Sequence, residues 1–267
     1  MTSARCPFLF PMKIATFNTN SIRARLPIIK SWITEEQPDI LAIQETKVQD
    51  KDFPFDDFDE LGYQAIIRGQ KSYNGVAIIS RLESGNVRKN LYEEEDEQAR
   101  FISADFSGIT VINVYVPQGF APGTDKFEYK LKWLNDLLEY IKNNYSPEDP
   151  VLLLGDFNVA MDSRDVYDPE GLKGSAGFHP EEQEILGRFF DWGFVDIFRK
   201  HNQEAEQYTF WDYRIPNALK RKKGWRIDYI AATGPLAEKS LSIKVDLKPR
   251  TLEKPSDHTF LVAEFEI

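Results

Sequence analysis

The segment EKPSDHTF (253–260) sets an acid and an imidazole side by side, Asp257 and His258, in a chain with 3 histidines. Other polar groups close or open runs that are otherwise apolar: Asn18 after KIATF, Glu45 in QETK, Asp156 and Asn158 in GDFN, and Asp228 in WRIDY. Singly, each is a residue type that caps a helix or a turn. Together they put several carboxylates at strand ends, and buried carboxylates need a cation or a paired partner. The candidates are mostly oxygen donors without HxxxH or CxxC spacing, which favours Mg2+ or Mn2+ over zinc. The acidic run at 50–60 lacks the glycine of an EF-hand loop. No P-loop and no G-x-S-x-G elbow is present, which argues against Walker-type nucleotide hydrolysis and serine acyl transfer.

A metal-assisted phosphoryl site fits what remains. Glu45 is the best ligand. Asp156 can position and deprotonate a water, with the Asn158 amide beside it. His258 can stabilise the charge of the transition state once its tautomer is fixed. Tyr115, closing the strand in NVYVPQG, brings a hydroxyl to the same level.

Short apolar runs predict the strands that carry these groups: 13–18, 39–46, 63–69, 75–81, 100–106, 110–117, 151–158, 226–232 and 259–267. Three helices follow from a 3.6-residue period. Leu26, Ile29 and Ile33 share a face in the first, with Pro27 expected in its first turn. Phe127, Leu131, Leu134, Leu138 and Ile141 share a face in the second. The third starts at HPEEQ, with Ile185, Phe189 and Phe190 inward. A strand–helix–strand unit occurs twice, and each second strand is apolar until an acid, Glu45 or Asp156, appears at its end. Continuous apolar strands are buried on both faces, so two such halves are expected to pack sheet on sheet with helices outside. No linker separates them, which predicts one domain over 12–267 after a disordered extension at 1–11. EEEDE (93–97) reads as a surface loop.

Composition narrows the setting. Hydrophobic residues make up 42% of the 267 and no apolar run is long enough to span a membrane, so no membrane association is expected. The only cysteine, Cys6, lies in the extension, which excludes an internal disulfide or a cysteine zinc site and suggests a cytoplasmic protein. A net charge of −10 argues against indiscriminate nucleic-acid binding, but basic residues cluster at Arg23, Arg25 and Lys30 and at 220–223 with Arg226.

QETK, NVYVPQG, LGDFN, GWRIDY and EKPSDH, in this order, resemble the exonuclease III family of abasic-site DNA endonucleases. FNTNSIRAR and YTFWDYR (208–214) resemble it too, so the likeness runs from Met12 to the end. It implies a four-layered α/β sandwich, with two mixed β-sheets packed face to face in the manner of DNase I. Carried onto this chain, it implies that Asn18 and Asp257 lie near the metal with Glu45. Asp156 and Asn158 would serve the water, and Tyr115 and His258 the scissile phosphate. Asp228 would hold the His258 imidazole. Arg23, Lys47, Tyr73, Arg100 and Gln118 would contact DNA. Phe210, Trp225 and Ile227 would line a pocket for a flipped-out sugar without a base, with Arg226 between them reaching phosphate. Adjacent side chains in extended chain point in opposite directions, so Asp257 and His258 are expected to divide, one to the metal and one to the phosphate.

The resemblance thus implies a monomeric Mg2+-dependent enzyme, with Mn2+ able to substitute. It would cut duplex DNA 5′ to abasic sites and act on 3′ ends as an exonuclease and 3′-phosphatase. A phosphoesterase of the wider superfamily with another substrate, and a catalytically silent DNA-binding module, are the alternatives. Segment 160–178 departs from the family pattern.

Overall fold

The computed structural model describes residues 11–92 and 98–267. Cys6, most of the expected extension and the EEEDE run lie outside them. In chain order the elements are β1 (Met12–Asn18), α1 (Ile22–Glu36), β2 (Ile40–Gln44), α2 (Phe55–Asp59), β3 (Gln64–Arg68), β4 (Val76–Ser80), β5 (Gly85–Arg88), β6 (Phe101–Phe106) and β7 (Ile109–Tyr115). There follow α3 (Asp125–Asn144), β8 (Val151–Asp156), α4 (Pro169–Leu172), α5 (Pro180–Trp192), β9 (Phe194–Asp196), α6 (Ile197–His201), β10 (Asp228–Thr233), α7 (Gly234–Glu238), β11 (Ser240–Asp246) and β12 (Phe260–Phe265).

They form two mixed six-stranded sheets, ordered β11-β12-β1-β2-β4-β3 and β5-β6-β7-β8-β10-β9. Each is built around one strand–helix–strand unit with parallel strands, β1 with β2 and β7 with β8. In each, the second strand of the unit pairs antiparallel with a later strand, β4 or β10. The first strand pairs antiparallel with another strand. That partner is β6 in one sheet and β12, from the far end of the chain, in the other.

Side-chain alternation sorts the core into three layers. Ile14, Ile40, Ala42 and Ile78 of one sheet meet Val111, Leu152, Leu154 and Ile230 of the other. The outer face of the first sheet packs Phe17, Leu41 and Ile43 against Ile29, Trp32 and Ile33 of α1. The outer face of the second packs Ile112, Val114 and Leu153 against Trp133, Leu134 and Leu137 of α3 and Phe189 of α5. The layers run helix, sheet, sheet, helix. Pro27 lies inside α1 rather than in its first turn. The helix continues because the buried stripe Ile28, Ile29, Trp32 and Ile33 outweighs one missing backbone hydrogen bond.

Candidate active site

The site grows out of the inter-sheet rows where they run out of apolar residues. In β8, Leu152 and Leu154 face the other sheet, and the next residue of that parity is Asp156. In β1 the row through Ile14 ends in Asn18, and in β10 the row through Ile230 begins at Asp228. Register brings Tyr115 opposite Asp156 on one side and Asp228 opposite Asp156 on the other. Gly155 permits the approach: it sits at φ 135°, and a Cβ there would lie 2.0 Å from the Val114 carbonyl oxygen.

Asp156 is buried and held at both oxygens. Asn18 Nδ2 donates to its Oδ2 at 2.8 Å, and the Asn158 backbone N–H donates to its Oδ1 at 2.9 Å. Burial pushes its carboxyl up to about 7, against the pull of His258; the Asp228 charge adds to the rise. His258 Nδ1 donates to Asp228 Oδ2 at 2.8 Å, and its Nε2 stands 3.7 Å from Asp156 Oδ2. Burial pulls this imidazole down, but the charges of Asp228 and Asp156 outweigh it and hold it up at about 10. The ring is therefore a charged donor at neutral pH. Burial, with Glu45 and Asp156 nearby, pushes the Tyr115 phenol well above its ordinary value, so it keeps its proton. The Arg100 guanidinium lies 4.8 Å from the Tyr115 ring centre. Asn158 Nδ2 donates to the Val116 carbonyl at 3.0 Å, which fixes the amide and leaves its oxygen as acceptor.

Glu45 follows β2 with φ 55°, a left-handed conformation that a non-glycine residue adopts rarely and mostly where surrounding structure imposes it. Lys47 Nζ lies 2.9 Å from its carboxylate and also reaches the Asn20 side-chain oxygen. Asn20 Nδ2 in turn donates to Asp257 Oδ1 at 3.1 Å. Asn18, Glu45 and Asp257 all line a 560 Å3 cavity. Two carboxylates and an amide oxygen are a donor set that suits a hard divalent cation. Asp156, Asp228 and His258 also offer ligand atoms within 4.8 Å of one another. Here the imidazole already lies between the two acids, hydrogen-bonded to Asp228 and 3.7 Å from Asp156.

Part of the cavity lining is apolar: Phe210, Trp225 and Ile227, which belong to one apolar cluster, with Ala176 and Gly177. The Phe210 ring lies 4.8 Å from the His258 ring, so the pocket opens directly beside the polar groups. Segment 160–178 takes part in this lining. Val166 bridges to Trp225, Tyr167 N–H bonds to the Gly224 carbonyl, and Ala160 N–H bonds to that of Gly177. Phe120 and Tyr213, 68% and 49% exposed, stand at the rim.

Arg226 corrects the sequence reading. It does not reach outward to phosphate but is fully buried, with Asp165 accepting from its Nε at 2.7 Å and Asp196 lying 2.9 Å from its Nη1. Alternation explains it: Trp225 and Ile227 face the pocket, so Arg226 faces away. Lys47 sits beside Glu45, Gln118 lines the cavity, and Arg23 is exposed and paired with Asp52 at 3.4 Å. Tyr73 is 70% exposed, next to Asn74, whose carbonyl accepts from the Lys47 N–H. Arg25 is spent on the Tyr213 hydroxyl and the Pro255 carbonyl, where it braces the loop before Asp257. Sequence reasoning passed over Asn20, although FNTNS repeats an Asn two residues on, and over Ala176 and Gly177. Small residues carry no chemical signal of a wall.

The chain matches the model of the Endonuclease/Exonuclease/phosphatase family over residues 15–258. It is 36% identical to an exodeoxyribonuclease III of Haemophilus influenzae, across 96% of this chain and 100% of the relative. It is 34% identical to the DNA repair nuclease APEX1 of Danio rerio, across 92% of this chain and 80% of the relative. Among solved structures, an AP endonuclease from Archaeoglobus fulgidus superposes with TM-score 0.93 at 44% identity, covering 96% of this chain and 100% of the other. A Neisseria 3′-phosphatase bound to a product DNA hairpin gives 0.92 at 38% identity, covering 95% and 99%.

Proposed function

The chain belongs to the endonuclease/exonuclease/phosphatase family, and from that premise we propose that it is a DNA-repair nuclease that hydrolyses the phosphodiester 5′ to abasic sites in duplex DNA. 3′-5′ exonuclease and 3′-phosphatase action at DNA ends belong to the same proposal, in line with relatives named for such activities. One observation carries the reading: a cavity lined both by carboxylates, amides and an imidazole and by an adjoining apolar cluster of Phe210, Trp225 and Ile227. A sugar lacking its base is cheap to flip from the stack and fits an apolar slot with no hydrogen bonds to offer a base.

In this reading Asp156 takes a proton from water, whose oxygen is steered by the Asn158 amide. That oxygen attacks phosphorus, the P–O3′ bond breaks, the departing O3′ takes up a proton from solvent, and the products are a 3′-hydroxyl and a 5′-deoxyribose phosphate. The charged His258, held by Asp228, donates to a phosphate oxygen, and the protonated Tyr115 is a second donor. Glu45, Asp257 and Asn18 would hold Mg2+, for which Mn2+ can substitute. When bound, the cation supplies Lewis-acid stabilisation of the phosphate and the departing oxygen. Lys47, Tyr73, Arg100, Gln118 and Arg23 would follow the DNA strand, and the 220–223 cluster would add positive charge to the same face. We take 12–267 as one catalytic domain, monomeric and cytoplasmic. Among the described residues no helix is long and apolar enough to cross a membrane.

The test uses duplex DNA with one synthetic abasic residue. With Mg2+, a single incision 5′ to that residue is expected, and Glu45→Ala should remove it. If the duplex stays intact while a phosphoinositide or sphingomyelin is hydrolysed, the substrate assignment is wrong.

A further inference from the structure

A buried lysine lies behind the site, and none of the roles above uses it. Lys130 projects from α3 and is fully buried. Its ammonium donates to the Asn158 carbonyl at 2.7 Å and to the Gln118 carbonyl at 3.4 Å, and it is ion-paired with the equally buried Glu182 of α5. The other oxygen of Glu182 accepts from the backbone N–H of Gly177 at 2.8 Å and of His179 at 3.1 Å. The loop after β7 is wrapped on the lysine stem. Gly119, at φ 88°, lies so close that a Cβ would come within 2.9 Å of the Lys130 Cδ.

One charge pair therefore joins three pieces of backbone, in addition to the Asn158–Val116 and Ala160–Gly177 hydrogen bonds that also connect them. The three pieces are the Asn158 turn that serves the water, the Gln118 turn at the DNA rim, and the Gly177 wall of the pocket. Burying two charges has a high desolvation cost, and an apolar pair of similar volume often supports a fold equally well. Stability alone therefore gives no reason for charge here. Carbonyl groups, by contrast, can be held only by a donor.

We propose that Lys130 is a positioning residue for the cleavage: paired with Glu182, it locks the Asn158 and Gln118 peptides to the Gly177 wall, so that the water site and the sugar pocket keep a fixed separation. This rests on the abasic-site reading. A displacement of about 1 Å in such a constellation can cost about 100-fold in rate.

The experiment compares wild-type protein, Lys130→Met and the double variant Lys130→Met/Glu182→Leu on the abasic duplex, with thermal unfolding alongside. Incision by the wild type tests the substrate reading separately. The single variant should lose both stability and kcat, because it strands Glu182. The double variant removes the stranded charge but leaves the Asn158 and Gln118 carbonyls and the Gly177 and His179 N–H groups without these partners, so it should regain part of the melting temperature while its kcat stays about 100-fold low. Recovery of kcat together with stability would overturn the positioning role. Should the double variant not fold, Glu182→Gln decides. Its amide oxygen can still accept from Gly177 and His179, but the lysine loses its counter-charge, so stability falls and kcat is compared below the variant's melting transition. A kcat about tenfold lower with KM little changed is then expected, and an unchanged kcat refutes the proposal.

Discussion

Asp228 touches the imidazole, yet its charge acts on two groups at once. It raises both His258 and Asp156. Asp156 must be deprotonated to accept a proton from water, and His258 must be protonated to donate to phosphate. The rate should therefore rise as Asp156 ionises and fall as His258 loses its proton. Asp228→Asn removes a charge that favours the protonated form of both groups. Both limbs of the pH–rate profile should move to lower pH, with kcat at neutral pH down by about 100-fold. A profile whose alkaline limb stays in place would mean that Asp228 does not govern His258. A second single-residue effect belongs to Gly155. Its φ of 135° and its contact with the Val114 carbonyl leave no room for a methyl group. Gly155→Ala should destabilise the protein by about 3 kcal/mol or more in denaturant unfolding. The strand-end positions of His258, Asp156 and Glu45 were legible in the sequence because each ends or flanks an apolar run. Arg226 was misread because its partners, Asp165 and Asp196, are remote in sequence and no local pattern announces them.

Among the elements, the segment at Trp225–Ile227 shows how a pocket wall is kept in place. Arg226 sits between the two wall residues with its guanidinium clasped by Asp165 and Asp196 and lying 4.5 Å from the Tyr229 ring centre. Arg226→Met would leave the partly buried Asp196 without its cation and the buried Asp165 with Arg199 alone, and a loss of about 3 kcal/mol of stability is expected. Trp225→Ala, by contrast, should leave the fold intact and widen the slot. The ratio of incision at abasic sites to incision at intact nucleotides should drop in a paired-substrate assay. Elements buried on both faces were easy to find: β2, β4 and β8 are apolar throughout most of their length. The strands that escaped notice, β5, β9 and β11, are edge strands. GNVR is almost entirely exposed and FVD has three residues, while the β11 run SLSIKVD mixes exposed and half-buried positions. Edge strands lack a second covered face, so the apolar signal that marks a strand is weak there.

For the molecule as a whole, charge is unevenly placed. The net value is −10, yet Lys220, Arg221 and Lys222 are exposed on the segment that leads into the pocket wall. Replacing Lys220, Arg221 and Lys222 with alanine should raise KM for abasic duplex and flatten its salt dependence by about one unit of log–log slope per lost phosphate contact. Activity on a single nucleotide 3′-phosphate should hardly change. The doubling of the strand–helix–strand unit was visible in the sequence, whereas the closure of one sheet by β12 was not, because that pairing spans nearly the entire chain.

The position of β12, inserted between β11 and β1, also has a consequence for biosynthesis. A nascent chain on the ribosome has both strand–helix–strand units long before it has Asp257, His258 or the strand that covers the free edge of β1. Until that strand emerges, the first sheet is open and the imidazole is missing. The candidate site is thus completed only after both strand–helix–strand units and β12 have been made.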